Sequence, residues 1–396
     1  MRHLSEKMVQ DCGDEVTVAT SNSMYGPELK IFKEIEPAVE QINGVEVHRF
    51  KFNRWHYPII DFAKKVSGKL FHIGLPHSIW KYRNEMDANG IDLMMKNSSA
   101  DVIMATTINY MFSDYPLWRN KTKNPKPFVL YGALHLHINW SSNSPMFKRA
   151  KACDCYIANT EYERQKLIEY GVDASKAVTI GTGIAIEDMQ CNNEEVRAFR
   201  KKNNISDEDI LIGHIGRLSQ GKGAGILLDA FNQAYKKKKN IKLLLAGTTT
   251  AYSTTLKDNI KEYNIPVVLM EDFQESLKPI LFNALDIFVL ASKGESFGVV
   301  FLEAWACKKP VIGVNMGAVA TLLADDYDSC LFEPDSVESL CDKICLLVDD
   351  NEKRIQFAER GLQKINEHYT WPKIVAKYRS AYELGIKNFK EQSLSV

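Results

Sequence analysis

The chain has 396 residues, too many for one ordinary core and enough for two domains of usual size. Its 50 Lys and Arg balance 50 Asp and Glu, which argues against a dedicated nucleic-acid binder, and 45% apolar with 25% charged residues fits a water-soluble globular chain. No run of about 18 or more apolar residues is present to span a membrane, and the opening MRHLSEKMVQDCGDE lacks the apolar core of a secretory signal.

Short apolar runs alternate with helical patterns along most of the sequence. Strands are expected in the first half at Glu15–Ala19, Val45–Phe50, Asp101–Ala105, Pro127–Tyr131, Cys155–Ala158 and Ala177–Ile180. In the second half they are expected at Ile210–Ile215, Lys242–Ala246, Val267–Met270, Ile287–Leu290 and Pro310–Val314. Runs such as LLLAG and IFVLAS are apolar at nearly every position, as parallel strands buried on both faces require. Amphipathic helices between them, for example Glu161–Tyr170 and Ala224–Lys236, give an α/β doubly wound architecture. Thr160 followed three residues later by Glu163 predicts a capping box. The polar stretch Gly183–Asn192 reads as the linker, with a helix over Glu194–Asn203 and a final amphipathic helix over Trp371–Leu384.

Residues 51–84 interleave Phe52, Trp55, Tyr57, Phe62, Phe71, Trp80 and Tyr82 with Lys and Arg, and Asp61 is the only acid. The preferred reading is a core helix pair whose lysines snorkel over apolar surface. The other is an interfacial element for an anionic membrane or a polyanionic acceptor. Eight scattered cysteines form no CxxC framework, so the thiols are expected to be reduced and the compartment cytoplasmic, with the inner membrane face as a variant.

Two constellations carry chemistry. GRLSQGKGAG, Gly216 to Gly225, follows the strand ILIGHI and precedes a helix. Its glycines permit close backbone approach, the helix start offers free amides and a positive dipole end, and Arg217 and Lys222 add cations, which together suit a diphosphate. SKGESFGVVFLEAWA, Ser292 to Ala306, follows IFVLA and places Glu303 in an otherwise apolar run, with Glu295 eight residues before it. A carboxylate in such a run has to be paired or directed at a ligand, and two carboxylates facing one cleft can accept hydrogen bonds from sugar or ribose hydroxyls.

GRLSQGKGAGILLDAF and ASKGESFGVVFLEAWACKKPVIG resemble the signature elements of glycosyltransferase family four, retaining enzymes of the GT-B fold with a Glu-x7-Glu motif. The similarity extends to HYTWPKIVAKYRSAYE near the end. It implies two Rossmann-like domains facing a cleft. Residues 1–187 would form the acceptor side and 188–370 the nucleotide-sugar side, with a terminal helix over 371–396 packing back on the first domain as part of the hinge. It implies that Arg217 and Lys222 neutralise the donor diphosphate and that Glu303 holds the ribose. Glu295 would meet the transferred sugar, and Gly216 and the amides of Ser296, Phe297, Gly298, Val299 and Val300 would line the pocket. A histidine after an N-terminal strand would face the sugar; His135 matches best and His137 second. The donor would be a nucleotide-diphosphate sugar and the acceptor a glycan or lipid-linked hydroxyl, with no essential metal or other cofactor. Peripheral membrane contact belongs only to the second, interfacial reading of residues 51–84.

The chain departs from the family pattern twice. The family's first strand and its Gly-Gly loop have no counterpart before HLSEKMVQDCGDEVTVATS, so an exposed sheet edge and an incomplete chain are expected. After PVIGV, the stretch NMGAVATLLADDYDSCLF has one Gly and no matching Glu. The competing expectations are a catalytically impaired GT-B protein that only binds a nucleotide or partner, and a GT-B epimerase or sugar-phosphate synthase.

Overall fold

The structure, a computed structural model, describes residues 1–25, 31–51, 90–108, 111–135 and 144–394. Apart from Lys51, the basic aromatic stretch and its two readings lie outside the described residues, as does His137.

The N-terminal half carries strands β1 (Thr17–Ser21), β2 (Ser23–Tyr25), β3 (Ile31–Glu34), β4 (Val39–Ile42), β5 (Val45–Phe50), β6 (Ile103–Thr106), β7 (Phe128–Tyr131), β8 (Cys155–Ala158) and β9 (Ala177–Thr179). They form a parallel sheet in the order β6-β7-β8-β9, a three-stranded sheet β1-β5-β4 and a small β2-β3 ribbon. β1 pairs with β5 in parallel, and β4 returns antiparallel to β5. Among the described residues, nothing pairs with the outer edge of β1 or of β6. Thr17, Ala19 and Thr20 stay exposed there.

The C-terminal half forms one six-stranded parallel sheet. Its strands are β10 (Ile210–Ile215), β11 (Ile241–Gly247), β12 (Val267–Glu271), β13 (Ile287–Leu290), β14 (Val311–Val314) and β15 (Ser329–Phe332). The spatial order β12-β11-β10-β13-β14-β15 reverses direction between β10 and β13. Loops leaving the carboxyl ends of those two strands diverge and open a crevice, where doubly wound sheets bind ligands. Both chemistry-bearing loops leave from there. The core beneath is continuous: Leu211, Leu243, Leu245, Phe288, Phe301 and Trp305 are fully buried.

The observed helices refine the expected ones. Asn192 accepts from the Glu194 amide and Glu195 accepts from the Asn192 amide, so the expected helix starts one residue early and spans Asn193–Lys202. The last helix runs from Trp371 to Leu394, ten residues beyond the expected end. Its Ile374, Val375, Tyr378 and Ala381 bury themselves against Val129, Cys155 and Ile157 of β7 and β8. Asn388 donates to the Asp154 carbonyl at 2.9 Å, and Arg379 pairs with Asp14 at 2.7 Å. The chain thus crosses between halves twice, and the crossings touch: Ile184 bridges Thr370, and its amide donates to Tyr369 at 2.9 Å. Among the described residues no helix is long and apolar enough to cross a membrane.

Candidate functional site

β10 hands its chain to the loop Gly216–Gly223, which makes one 3-10 turn over Gln220–Lys222 before the helix Ala224–Lys237. Gly223 has φ 76°, and a Cβ there would sit 2.3 Å from the Ala291 carbonyl oxygen. Only glycine lets this loop lie against the backbone leaving β13. That second strand leads into Ala291–Gly298 and the helix Val299–Ala306. Neither helix has a side-chain cap at its start, so their first amides carry no capping partner and keep a positive end toward the crevice.

A cavity of ≈ 290 Å³ opens between the halves. Gly216, Lys222, Glu295, Ser296, Phe297, Gly298, Val299 and Val300 line it from the C-terminal side, and Tyr131, Ala133, Asn159 and Thr182 from the other. Lys222 and Glu295 meet there directly, Nζ to Oε1 at 2.5 Å, with 19% and 10% of their side chains exposed.

Arg217 and Glu303 do not line this cavity. Arg217 is exposed in the loop one residue past Gly216. Glu303 lies one helical turn beyond Val299 on the same face. Its Oε1 pairs with Lys278 at 2.7 Å, while Oε2 is buried and takes no hydrogen bond. Burial pushes the Glu303 carboxyl above its usual range, against the pull of the Lys278 ammonium. The structure therefore brings Gly216, Lys222, Glu295 and Ser296–Val300 into one hollow and sets Arg217 and Glu303 beside it.

His135 is exposed, and its Nδ1 lies 2.6 Å from the Gly294 carbonyl oxygen, across the cleft from its own sheet. A carbonyl only accepts, so Nδ1 carries the proton. Next to it Asn159 Nδ2 approaches Ser296 Oγ at 3.4 Å, and Tyr131 donates to Asn159 Oδ1 at 2.6 Å. Among the described residues no three His, Cys, Asp or Glu side chains could hold a metal ion.

No local sequence pattern marks Lys278, Asn159, Tyr131 or Thr182 as site residues. Lys278 follows a polar turn 25 positions before Glu303 and carries no local mark of its partner. Asn159 stands directly before the helix-capping Thr160, a place that reads as a turn.

The fold formed by these two facing units is GT-B. An Anabaena protein, Alr3699/HepE, crystallised with UDP, shares it at TM-score 0.69 and 18% identity, over 93% of this chain and all of that one. Sucrose-phosphate synthase from Thermosynechococcus elongatus shares it at TM-score 0.70 and 16% identity, over 96% and 91% of the two chains. Within this fold, residues 195–364 match the family of glycosyl transferases group 1, a span that holds both loops, Lys222, Lys278, Glu295 and Glu303. The capsular polysaccharide biosynthesis glycosyltransferase CapM of Staphylococcus aureus is 24% identical over 58% of this chain and 62% of its own length. The chain spans about six tenths of the curated relatives it matches first.

Proposed function

We propose that this chain is a retaining glycosyltransferase, moving a sugar from a nucleotide-diphosphate donor to an acceptor hydroxyl in cell-envelope, glycolipid or polysaccharide synthesis. The observation that carries the reading is the Lys222–Glu295 pair at the reversal point of the sheet, in a cavity between two facing units. Lys222 and Glu295 neutralise each other in the cavity. A diphosphate entering over the uncapped helix ends draws Lys222 away, and Arg217 supplies the second cation. Glu295 is then released to accept from sugar hydroxyls. The buried Glu303 Oε2 is suited to a ribose hydroxyl, with Lys278 holding the other oxygen in place.

In the transfer step the bond from the anomeric carbon to the phosphate oxygen breaks, and its electron pair leaves with the diphosphate. Positive charge develops on the sugar ring, and Lys222, Arg217 and the helix amides stabilise the departing phosphate. The acceptor oxygen forms the new bond from the same face, and its proton passes to the leaving phosphate. His135 stands at the sugar end. No metal is expected in this scheme. The likeness to CapM, named for capsular polysaccharide biosynthesis, supports a glycan acceptor.

The test is mass spectrometry of products after incubation with nucleotide sugars, UDP-glucose first, and glycan acceptors. Transfer with an unchanged anomeric configuration is expected, and Lys222→Ala, Arg217→Ala and Glu295→Ala should each slow it about 100-fold. Absence of any sugar transfer or donor cleavage, or a fully active Lys222→Ala enzyme, refutes the reading.

A further inference from the structure

A carboxylate that the transfer scheme does not use lies behind the cleft wall. Glu163, on the helix Glu161–Glu169, is 1% exposed. As the third residue after the capping Thr160, it should reach back to the Thr160 amide. It does not: Thr160 accepts from the Glu163 amide at 3.3 Å, but the Glu163 carboxylate turns inward. Its Oε2 accepts from the Asn159 amide at 2.9 Å, and its Oε1 accepts from Tyr156 Oη at 2.7 Å and from the Leu134 amide at 3.3 Å. Gly132 makes room for this knot, since a Cβ there would lie 2.5 Å from Glu163 Oε1 and 1.4 Å from Tyr156 Oη.

Two of the three donors adjoin the contacts that cross the cleft. Leu134 precedes His135, which donates to Gly294, and Asn159 itself reaches Ser296. Gly294 and Ser296 flank Glu295. One buried carboxylate therefore fixes both N-terminal fingers that hold the acidic loop of the other half. A buried acid costs free energy unless its acceptors are filled, and Glu163 fills them with the backbone of these two fingers.

We propose that Glu163 is the positioning residue of an interdomain latch: by anchoring Leu134 and Asn159 it sets His135 against Gly294 and Asn159 against Ser296, and so fixes Glu295 over the donor sugar. The part concerning the sugar rests on the transferase reading, whereas the latch itself does not. Glu163→Gln keeps the shape but presents an amide N–H₂ where one carboxylate oxygen stood, so one of the three donors meets another donor.

The test is nitrogen-15 NMR of the full chain with labelled histidine at about pH 8, where an ordinary imidazole is neutral, and His135→Gln assigns the signal. A solvated neutral imidazole carries its proton mainly on Nε2; the latch requires Nδ1–H. We expect the Nδ1–H form to dominate at His135 in the wild type and to fall at least about threefold in Glu163→Gln, with the buried His214 signal unmoved. Kinetically, kcat should drop about tenfold with donor KM within about twofold, since the diphosphate grips belong to the other half. Should Glu163→Gln not fold, Glu163→Asp keeps the charge, withdraws it by one methylene, and should shift the same signal less. A wild-type His135 protonated on Nε2, or an unchanged signal in a folded Glu163 variant, overturns the latch. A wild type that shows the latch but transfers no sugar overturns only the functional reading.

Discussion

Replacing Lys278 with Met tests how the buried Glu303 is kept charged. The ammonium lies 2.7 Å from Glu303 Oε1, with 23% and 13% of the two side chains exposed. At an effective dielectric constant of about 20, the gross attraction at that distance is about 6 kcal/mol. Desolvation of both ions offsets most of it, leaving a net coupling of about 2 kcal/mol. Lys278→Met leaves a carboxylate with one buried oxygen already unpartnered and the other newly so. Loss of about 2 kcal/mol should lower the melting temperature by about 4–8 °C for a unit of this size. The effect has a sign in pH. Burial already raises the Glu303 pKa above 4.5, so its ionised form opposes folding, and stability falls as pH rises from about 4.5 through the raised value. Removing Lys278 raises that value further, so the variant's deficit should be small in acid and full at neutral pH. Thermal melts across that range, with Glu303→Gln and the double variant closing a cycle, measure the coupling. A deficit independent of pH, or additive single variants, would refute the reasoning.

Gly132→Ala should be severe, because its Cβ would meet Tyr156 Oη at 1.4 Å; a loss of about 3 kcal/mol or more is expected in denaturant melts, and one below about 1 kcal/mol contradicts the packing. His214 is fully buried in β10, and that burial lowers its pKa to about 4, against the opposing pull of backbone carbonyls at Arg217 and Val289. Its contribution to stability is complete above about 6.5 and is lost as pH falls from there through about 4. His214→Leu should flatten that part of the pH profile relative to wild type, and parallel profiles would count against it.

Much of the fold was legible because strands buried on both faces leave continuous apolar runs. Val45–Phe50, Cys155–Ala158, Ile210–Ile215 and Ile287–Leu290 are observed with the expected bounds. Ser329–Phe332 was missed: SCLF is four residues long, opens on a serine and follows the acidic DDYD, yet every one of its residues is buried as β15. The hairpin strand Val39–Ile42 alternates exposed and half-buried positions and offers little apolar signal. In the site, the local motifs marked Lys222, Glu295 and Glu303. They could not show that Lys222 and Glu295 pair across 73 positions, or that Lys278 joins Glu303, because such pairs are set by strand order. Glu163 was legible as a cap by its spacing, but the partners of its carboxylate lie on β8, just past its end and in the loop after β7, which no local pattern encodes.

The helix Trp371–Leu394 roofs β7 and β8, whose residues precede it by more than two hundred positions. During synthesis, Val129, Cys155 and Ile157 emerge long before the helix that roofs them, while the C-terminal sheet closes on residues near its own span. The first half made is therefore the last to be finished, and until the tail arrives it displays an oily face that a chaperone could shield.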